Sequence, residues 1–178
     1  MKRAVLRLMA LGCAATLGVS PLAAQKARLD IGAGGVVPSG DYSTVDNAGW
    51  HMMGALELSI PRSPLHVRVD AMYGQTTHQG GLLLTGSTKL SGASADALYY
   101  IGAPMLPLRL YLLGGIGYYK VDPGAGASES NVAFNGGGGV TLGVGPVKMF
   151  GEARFITVRT SGGATNFFPL SVGLSLGM

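Results

Sequence analysis

Residues 65–73 read LHVRVDAMY, and in this stretch apolar and polar side chains alternate with a period of two. Val67 and Val69 fall on one side, whereas Arg68 and Asp70 fall on the other. An amphipathic helix would instead repeat its apolar residues every three or four positions. The stretch therefore predicts a β-strand with one apolar face and one polar face.

The same alternation returns along the chain in stretches of about ten residues, which are separated by breaks rich in Gly, Pro, Ser, Asn and Asp. These stretches predict an all-β chain that folds as a transmembrane, antiparallel, up-and-down β-barrel of about eight strands. The predicted strands are Arg28–Val36, Trp50–Ile60, Leu65–Tyr73, Leu90–Ile101, Leu108–Tyr119, Val132–Val144, Val147–Val158 and Phe168–Met178.

The connections between the predicted strands alternate in length. Outer-membrane barrels have short periplasmic turns and longer external loops, and with both termini in the periplasm the first connection would be external. The first connection is one of the long ones, so the order agrees with such a barrel. The short connections are 61–64, 104–107 and 145–146, and the longer ones are near 37–49, 75–89, 120–131 and 159–167.

Four aromatic residues lie on the apolar face, next to the longer connections: Trp50, Tyr73, Tyr118 and Phe168. Aromatic rings favour the boundary between lipid headgroups and hydrocarbon. The four residues therefore predict an outer aromatic girdle, which a soluble barrel has no reason to align.

Charged residues share the opposite face with many glycines. A soluble barrel would carry its charges outside, whereas a narrow barrel of about eight strands has an interior that side chains can fill. The charges number five acidic and five basic, and charges away from bulk water need partners. We therefore predict a paired network in the lumen, made of Arg28, Asp30, Glu57, Arg68, Asp70, Asp96, Arg109, Lys148, Glu152 and Arg154.

The first 25 residues have the features of a secretion signal. A positive start is followed by the mostly apolar stretch 4–19 and a small-residue region that ends near Ala24. We expect a cleaved signal peptide over 1–25 and a barrel domain over 26–178. A membrane anchor and, because of Cys13, a lipoprotein are the alternatives. Charged residues make up only 12% of the chain and no basic cluster follows the signal, so we expect no nucleic-acid partner.

Three segments give the chain a family resemblance. FGEARF (150–155), YLLGGIGY (111–118) and the final stretch Phe168–Met178 resemble, in order and phase, the small eight-stranded outer-membrane barrels that include OmpX and the barrel domain of OmpA. The resemblance implies location in the bacterial outer membrane. It also implies that the barrel insertion machinery reads the last strand as an assembly signal, formed by Phe168, Leu170, Val172, Leu174, Leu176 and Met178. That signal usually ends in Phe or Trp, and Met178 departs from it.

Chemistry-bearing residues show no catalytic, cofactor-binding or metal-binding pattern. His51 and His66 are expected to point into the barrel at different heights, and His78 to lie in a loop. They form no nucleophile–base pair on the lipid face and no metal-ligand spacing. The glycine clusters 32–35 and 136–139 do not open into a helix, so no phosphate-binding loop is expected. The acids Asp41, Asp46, Asp122 and Glu129 are expected to be solvated loop residues.

The function class that these features favour is a non-enzymatic outer-membrane barrel. We expect a structural or surface-interaction role with a lumen plugged by the charge network. The alternatives are a narrow porin-like pore, a lipid-modifying enzyme and a soluble periplasmic barrel. The expected partners are outer-membrane lipid, the barrel insertion machinery and an extracellular ligand bound through the loops, with the chain itself a monomer and no cofactor.

Overall fold

The computed structural model describes residues 26–78, 86–103, 106–124, 128–160 and 163–177. It shows a closed, antiparallel barrel in the order β1-β2-β3-β4-β5-β6-β7-β8, which confirms the predicted fold class. The predicted signal peptide and Met178 lie outside the described residues. The strands are β1 (Ala27–Ser39), β2 (Asp46–Ser59), β3 (Leu65–His78), β4 (Ser87–Ile101), β5 (Leu108–Asp122), β6 (Glu129–Leu142), β7 (Val147–Thr160) and β8 (Gly163–Gly177), with a 3-10 helix at Gly40–Thr44.

The first and last strands close the barrel. β1 and β8 pair from Arg28 opposite Gly177 to Ser39 opposite Asn166. Every strand therefore has two hydrogen-bonded neighbours and the sheet has no free edge. Such closure is what allows β-strands to cross lipid, because the bilayer core supplies no water to satisfy backbone N–H and C=O groups. No helix among the described residues is long and apolar enough to span a membrane.

The two faces of the sheet are inverted relative to a soluble barrel. Val69 is 58% exposed on the outside, while its neighbour Arg68 is 1% exposed on the inside. The outward face carries apolar residues on every strand, for example Ile31, Leu112 and Val172. A surface of this kind is stable against hydrocarbon rather than water.

The predicted contrast between short and long connections is wrong in one respect. The strands extend further at the end that was expected to carry the loops, so the connections there shrink to 40–45, 79–86, 123–128 and 161–162. The predicted long loop at 159–167 is mostly strand, with Thr157 paired to Asn166 and Thr160 to Gly163. Strand pairing continues beyond the apolar band because backbone hydrogen bonds do not depend on lipid around them, and polar residues can occupy both faces there.

The interior changes in character along the barrel axis. We call the end that holds Ala27 and Gly177 the lower end, and the end with the connection 40–45 the upper end. Below the upper end lies an apolar cluster, charged side chains fill the middle, and a second aromatic and aliphatic cluster follows towards the lower end. The upper cluster is Val36, Tyr42, Met72, Leu90, Tyr119, Ala133, Ile156, Val158 and Phe167, and the lower cluster is Leu98, Tyr100, Tyr111 and Leu113.

Candidate functional site inside the barrel

The middle of the lumen is occupied by two arginines and three carboxylates, which we call the central cluster: Arg68, Asp70, Asp96, Glu152 and Arg154. Arg68 Nη1 lies 2.8 Å from Glu152 Oε2, and Arg154 Nε lies 2.5 Å from Glu152 Oε1. Arg154 Nη1 reaches Asp70 Oδ2 at 3.1 Å and Asp96 Oδ2 at 3.3 Å. Arg68 Nη2 also lies 3.7 Å from Asp96 Oδ2, so each guanidinium contacts more than one carboxylate.

These ion pairs cross the bore of the barrel. Arg68 and Asp70 project from β3, whereas Glu152 and Arg154 project from β7, which is four strands away in the closed order. Strands four apart face each other across an eight-stranded barrel. All five side chains of the central cluster are buried. The cluster therefore ties opposite walls together and occupies the path along the axis.

The three carboxylates outnumber the two arginines, and each carboxylate also accepts a hydrogen bond from a neutral donor. Ser94 Oγ donates to Asp70 Oδ2 at 2.9 Å, and Asn135 Nδ2 donates to Asp96 Oδ1 at 2.8 Å. Tyr111 Oη donates to Glu152 Oε2 at 2.7 Å. Hydrogen bonds of this kind are what make a buried charge tolerable.

Several interior contacts join strands that are not neighbours, and they pass over a glycine on the strand between. Gly139 on β6 is in register with Tyr111 on β5 and with Glu152 on β7. Because glycine has no side chain, the Tyr111 hydroxyl can reach Glu152 across it. A Cβ at Gly139 would overlap the Tyr111 ring.

The same arrangement occurs at Gly115 on β5, which is in register with Asp96 on β4 and with Asn135 on β6. A Cβ at Gly115 would overlap the Asp96 carboxylate that Asn135 contacts. The glycines on the inward face thus leave the space through which the polar network connects. This explains why charges and glycines share a face in the sequence.

A third contact of this kind joins β2 to β8 over Gly34 of β1. His51 Nε2 lies 2.8 Å from Ser171 Oγ, and both residues are in register with Gly34. The expectation that His51 points inward is met. The sequence had indicated no His/Ser pair on the lipid face, and this pair lies in the lumen instead. Only about 10 Å³ of space adjoins it, roughly enough for one water molecule.

A separate group of contacts lies nearer the lower end, around Glu57. His66 Nδ1 is 2.7 Å from Glu57 Oε1, the Tyr100 hydroxyl donates to Glu57 Oε2 at 3.1 Å, and Arg28 Nη1 lies 3.9 Å away. Arg109 packs over the Tyr100 ring at 4.4 Å from its centroid. This group sits at a different height from the central cluster, as expected for His66 relative to His51.

A further network closes the upper rim of the lumen. Thr76 Oγ1 donates to Asp46 Oδ2 at 2.5 Å, and Thr76 Oγ1 also lies 2.6 Å from the Tyr42 hydroxyl. His78 Nδ1 faces Asp46 Oδ1 at 2.5 Å, and His78 Nε2 faces the Pro123 carbonyl at 3.2 Å. We call Tyr42, Asp46, Thr76 and His78 the rim network. The expectations that Asp46 is solvated and that His78 lies in a loop are both wrong, because Asp46 is buried and His78 ends β3.

The geometry around His78 favours its charged form. Both ring nitrogens face acceptors, and only an imidazolium donates from both. His78 lies five residues beyond Tyr73 on β3, about 16 Å along the strand at 3.3 Å per residue, and so it lies above the membrane-spanning part. The hydrogen bond to Asp46 raises the pKa of His78, with a smaller contribution from the Pro123 carbonyl.

Some of the predicted lumen residues have an ion-pair partner among the described residues, and we call these charges matched; the others we call unmatched. Arg28, Glu57 and the five members of the central cluster make ion pairs, and Asp30 is buried beside Ser175. Arg109 and Lys148 make no ion pair with any described residue. The sequence identified which residues point inward, but strand phase alone could not identify which of them meet.

The predicted girdle residues lie on the outside of the barrel. Trp50 and Tyr73 have ring centroids 5.9 Å apart, and Phe168 contacts the Phe155 ring at 4.9 Å. Tyr118 is also exposed. Phe155 was not assigned to the girdle from the sequence, although its outward phase and its position opposite the last strand would have allowed it.

The predicted assembly signal occupies β8. Phe168, Leu170, Val172 and Leu174 face outward, Leu176 is half-buried, and Met178 lies outside the described residues. Recognition by the insertion machinery stays a prediction. Among the described residues, no three His, Cys, Asp or Glu side chains are placed to hold a metal ion.

Comparison with solved structures defines the fold class independently. Neisserial surface protein A matches with a TM-score of 0.62 at 17% identity, over 86% of this chain and 96% of that one. A major outer membrane protein of Thermus thermophilus matches at 0.60 and 14% identity, over 87% and 100%. Ail, the attachment invasion locus protein of Yersinia pestis, matches at 0.53 and 17% identity, over 85% and 98%.

The chain thus has the fold of the small eight-stranded outer-membrane barrels, as its sequence resemblance implied. No protein-family model and no curated protein matches its sequence.

Proposed function

We propose that the chain is a bacterial outer-membrane barrel whose lumen is plugged, and that it has a structural or surface-interaction role. The observation that best supports a plugged lumen is the set of ion pairs across the bore between β3 and β7. The apolar cluster above them, in which Leu90, Ile156 and Phe167 are 0% exposed, adds a second barrier. An ion would have to displace both layers.

The lower end would face the periplasm and the upper end the outside, as expected for a barrel whose termini are both periplasmic. Outward apolar residues and the Trp50–Tyr73 and Phe155–Phe168 pairs support contact with outer-membrane lipid. Delivery through a cleaved signal peptide and insertion by the barrel machinery are part of the same proposal. The chain would act as a monomer, because a closed barrel leaves no strand edge for a second copy.

The surface-interaction role concerns the upper end. The strands rise beyond the girdle there and present polar side chains such as Lys89, Lys120 and Asp122. One protein with this fold, Ail, is named the attachment invasion locus protein. An extracellular ligand would therefore meet strand extensions and short connections rather than long loops.

A lipid-modifying activity is not part of the proposal. His51 and Ser171 are close enough for a base and a nucleophile, but both are buried in the lumen. The adjoining space of about 10 Å³ has no room for a lipid. The pair is better explained as a structural hydrogen bond across β1.

Conductance in a planar bilayer tests the plug. We expect the refolded chain without residues 1–25 to be silent, and the double variant Arg154→Ala, Phe167→Ala to open. Arg154→Ala removes the contacts to Asp70, Asp96 and Glu152, and Phe167→Ala opens the apolar cluster above them. The double variant Arg159→Ala, Phe167→Ala is the matched control, since Arg159 lies on the same strand as Arg154 but packs over Phe134 outside the cluster. Stable openings of the unmodified chain would instead establish the narrow pore.

A further inference from the structure

The lower end of the barrel opens into a funnel of about 940 Å³. Its wall is strongly basic. Ligand-binding cavities in proteins have volumes of about 300–1,000 Å³, so a small molecule would fit. The cationic lining residues, which we call the basic funnel, are Lys26, Arg28, Arg62, Arg109 and Lys148, with His66 beside them.

The acid nearest to the basic funnel does not neutralise it. Glu57 is engaged by His66 at 2.7 Å and by the Tyr100 hydroxyl at 3.1 Å, and only Arg28 among the five cations lies within ion-pair distance of it, at 3.9 Å. Arg28 Nη1 is buried and makes no hydrogen bond with the described residues. The other four cations of the basic funnel make no ion pair with a described residue, so the funnel keeps an excess of positive charge.

Arg109 is the residue that most clearly lacks a partner. It is 6% exposed, and its Nε is buried without a hydrogen bond to any described residue. Arg68 and Arg154 also have nitrogens without one, but both make ion pairs, whereas no described carboxylate lies within ion-pair distance of Arg109. The Tyr100 ring, 4.4 Å from the guanidinium carbon, holds it in place on one face. A buried guanidinium normally has an anionic partner, because desolvation without one is costly. Its position in the funnel wall makes an external anion the natural counterpart.

We propose that the basic funnel binds a small, multiply charged anion with phosphate groups. Guanidinium groups match phosphate oxygens with paired N–H donors, and lysine adds a point charge. Several cations around one cavity favour more than one negative charge on the ligand. Because the funnel opens at the lower end, the ligand would come from the periplasmic side, either as a free phosphorylated solute or as an anionic lipid headgroup.

Pyrophosphate binding to the refolded chain, without residues 1–25 and in zwitterionic detergent, tests the proposal by titration calorimetry. We expect saturable 1:1 binding that weakens as salt is added. Arg109→Gln should weaken it about ten-fold or more, since charge-assisted hydrogen bonds are lost. Arg109→Lys should fall in between. Lys148→Gln, at a half-exposed position where folding is not at risk, should weaken it several-fold.

Arg159→Gln is the matched control, because it removes a cation at the upper end, and it should bind pyrophosphate as the unmodified chain does. Absence of saturable binding, or equal affinity of Arg109→Gln, Lys148→Gln and Arg159→Gln, would overturn the proposal. Repeating the titration in nanodiscs with and without phosphatidylglycerol distinguishes the sources. Competition by phosphatidylglycerol would assign the site to a lipid headgroup, and unchanged binding would assign it to a free solute.

Discussion

The central cluster and the basic funnel are built from the same residue types, but they differ in how their charges are matched. In the central cluster, two arginines meet three carboxylates, and neutral donors such as Ser94 and Asn135 donate further hydrogen bonds to these carboxylates. In the funnel, Arg109 and Lys148 meet no described carboxylate. Matched charges close the bore, whereas unmatched charges leave an open, binding-competent cavity. The presence of inward-facing charges therefore does not by itself reveal whether those charges stabilise the barrel or bind a ligand.

The largest effect should come from removing one carboxylate charge from the central cluster, so that its arginines lose an ion-pair partner. Glu152→Gln keeps the shape of the side chain but leaves Arg68 and Arg154 without their shared carboxylate. Breaking a buried ion pair in this way costs about 3–5 kcal/mol. We expect a decrease of that size in the free energy of unfolding, measured by urea titration of the barrel in lipid vesicles.

The comparison in the same titration is Lys148→Gln, which removes a charge from the funnel. Since Lys148 makes no ion pair with a described residue, the free energy of unfolding should change by less than about 0.5 kcal/mol. Equal losses in the two variants would contradict the distinction between matched and unmatched charges.

A smaller effect is expected from adding a side chain at Gly139, the glycine that the hydrogen bond between Tyr111 and Glu152 passes over. Gly139→Ala would push against the Tyr111 ring and the Gly151 carbonyl, and would disturb the hydrogen bond of Tyr111 to Glu152. Overpacking of this kind costs about 1–3 kcal/mol. Gly151→Ala is the matched control, since among the described residues a Cβ there meets only Val140 Cγ1, at 3.8 Å. The same vesicle titration would refute the role of Gly139 if both variants were as stable as the unmodified barrel.

The smallest effect concerns pH at the rim network, at the opposite end from the funnel. Since the pKa of His78 is raised above its ordinary 6.5, the charged histidine stabilises the rim fully below that pH, and this contribution is lost as the pH rises through the raised value. An NMR titration of the His78 ring should show the raised pKa, and Asp46→Asn should return it towards 6.5. An unchanged pKa in Asp46→Asn would mean that the carboxylate is not its cause.

The fold followed from the sequence because strand phase is a local property. Val69 and Arg68 are adjacent in the chain, and their residue types already indicate opposite faces. The ends of the strands were harder to locate, since Thr157 and Asn166 pair in β-structure outside the apolar band, where alternation gives no signal. The burial of Asp46 could not be predicted either, because it depends on contacts with Thr76 and His78 of the neighbouring strand.

The candidate site could be predicted only as a set of inward-facing residues. The partner of Arg154 is set by which strand lies opposite β7, and this depends on the number of strands and their stagger. The contact between Tyr111 and Glu152 depends in addition on the absence of a side chain at Gly139. Neither condition is visible in the sequence of any one strand.

The hydrogen bond between His51 and Ser171 has a consequence for biogenesis. It spans β1 and joins the second strand to the last, so it cannot form until β8 has docked beside β1. Every other strand can be in place while His51 still lacks this partner. The imidazole of His51 is thus an intrinsic reporter of seam completion, and its chemical environment distinguishes a finished barrel from one arrested a single strand short.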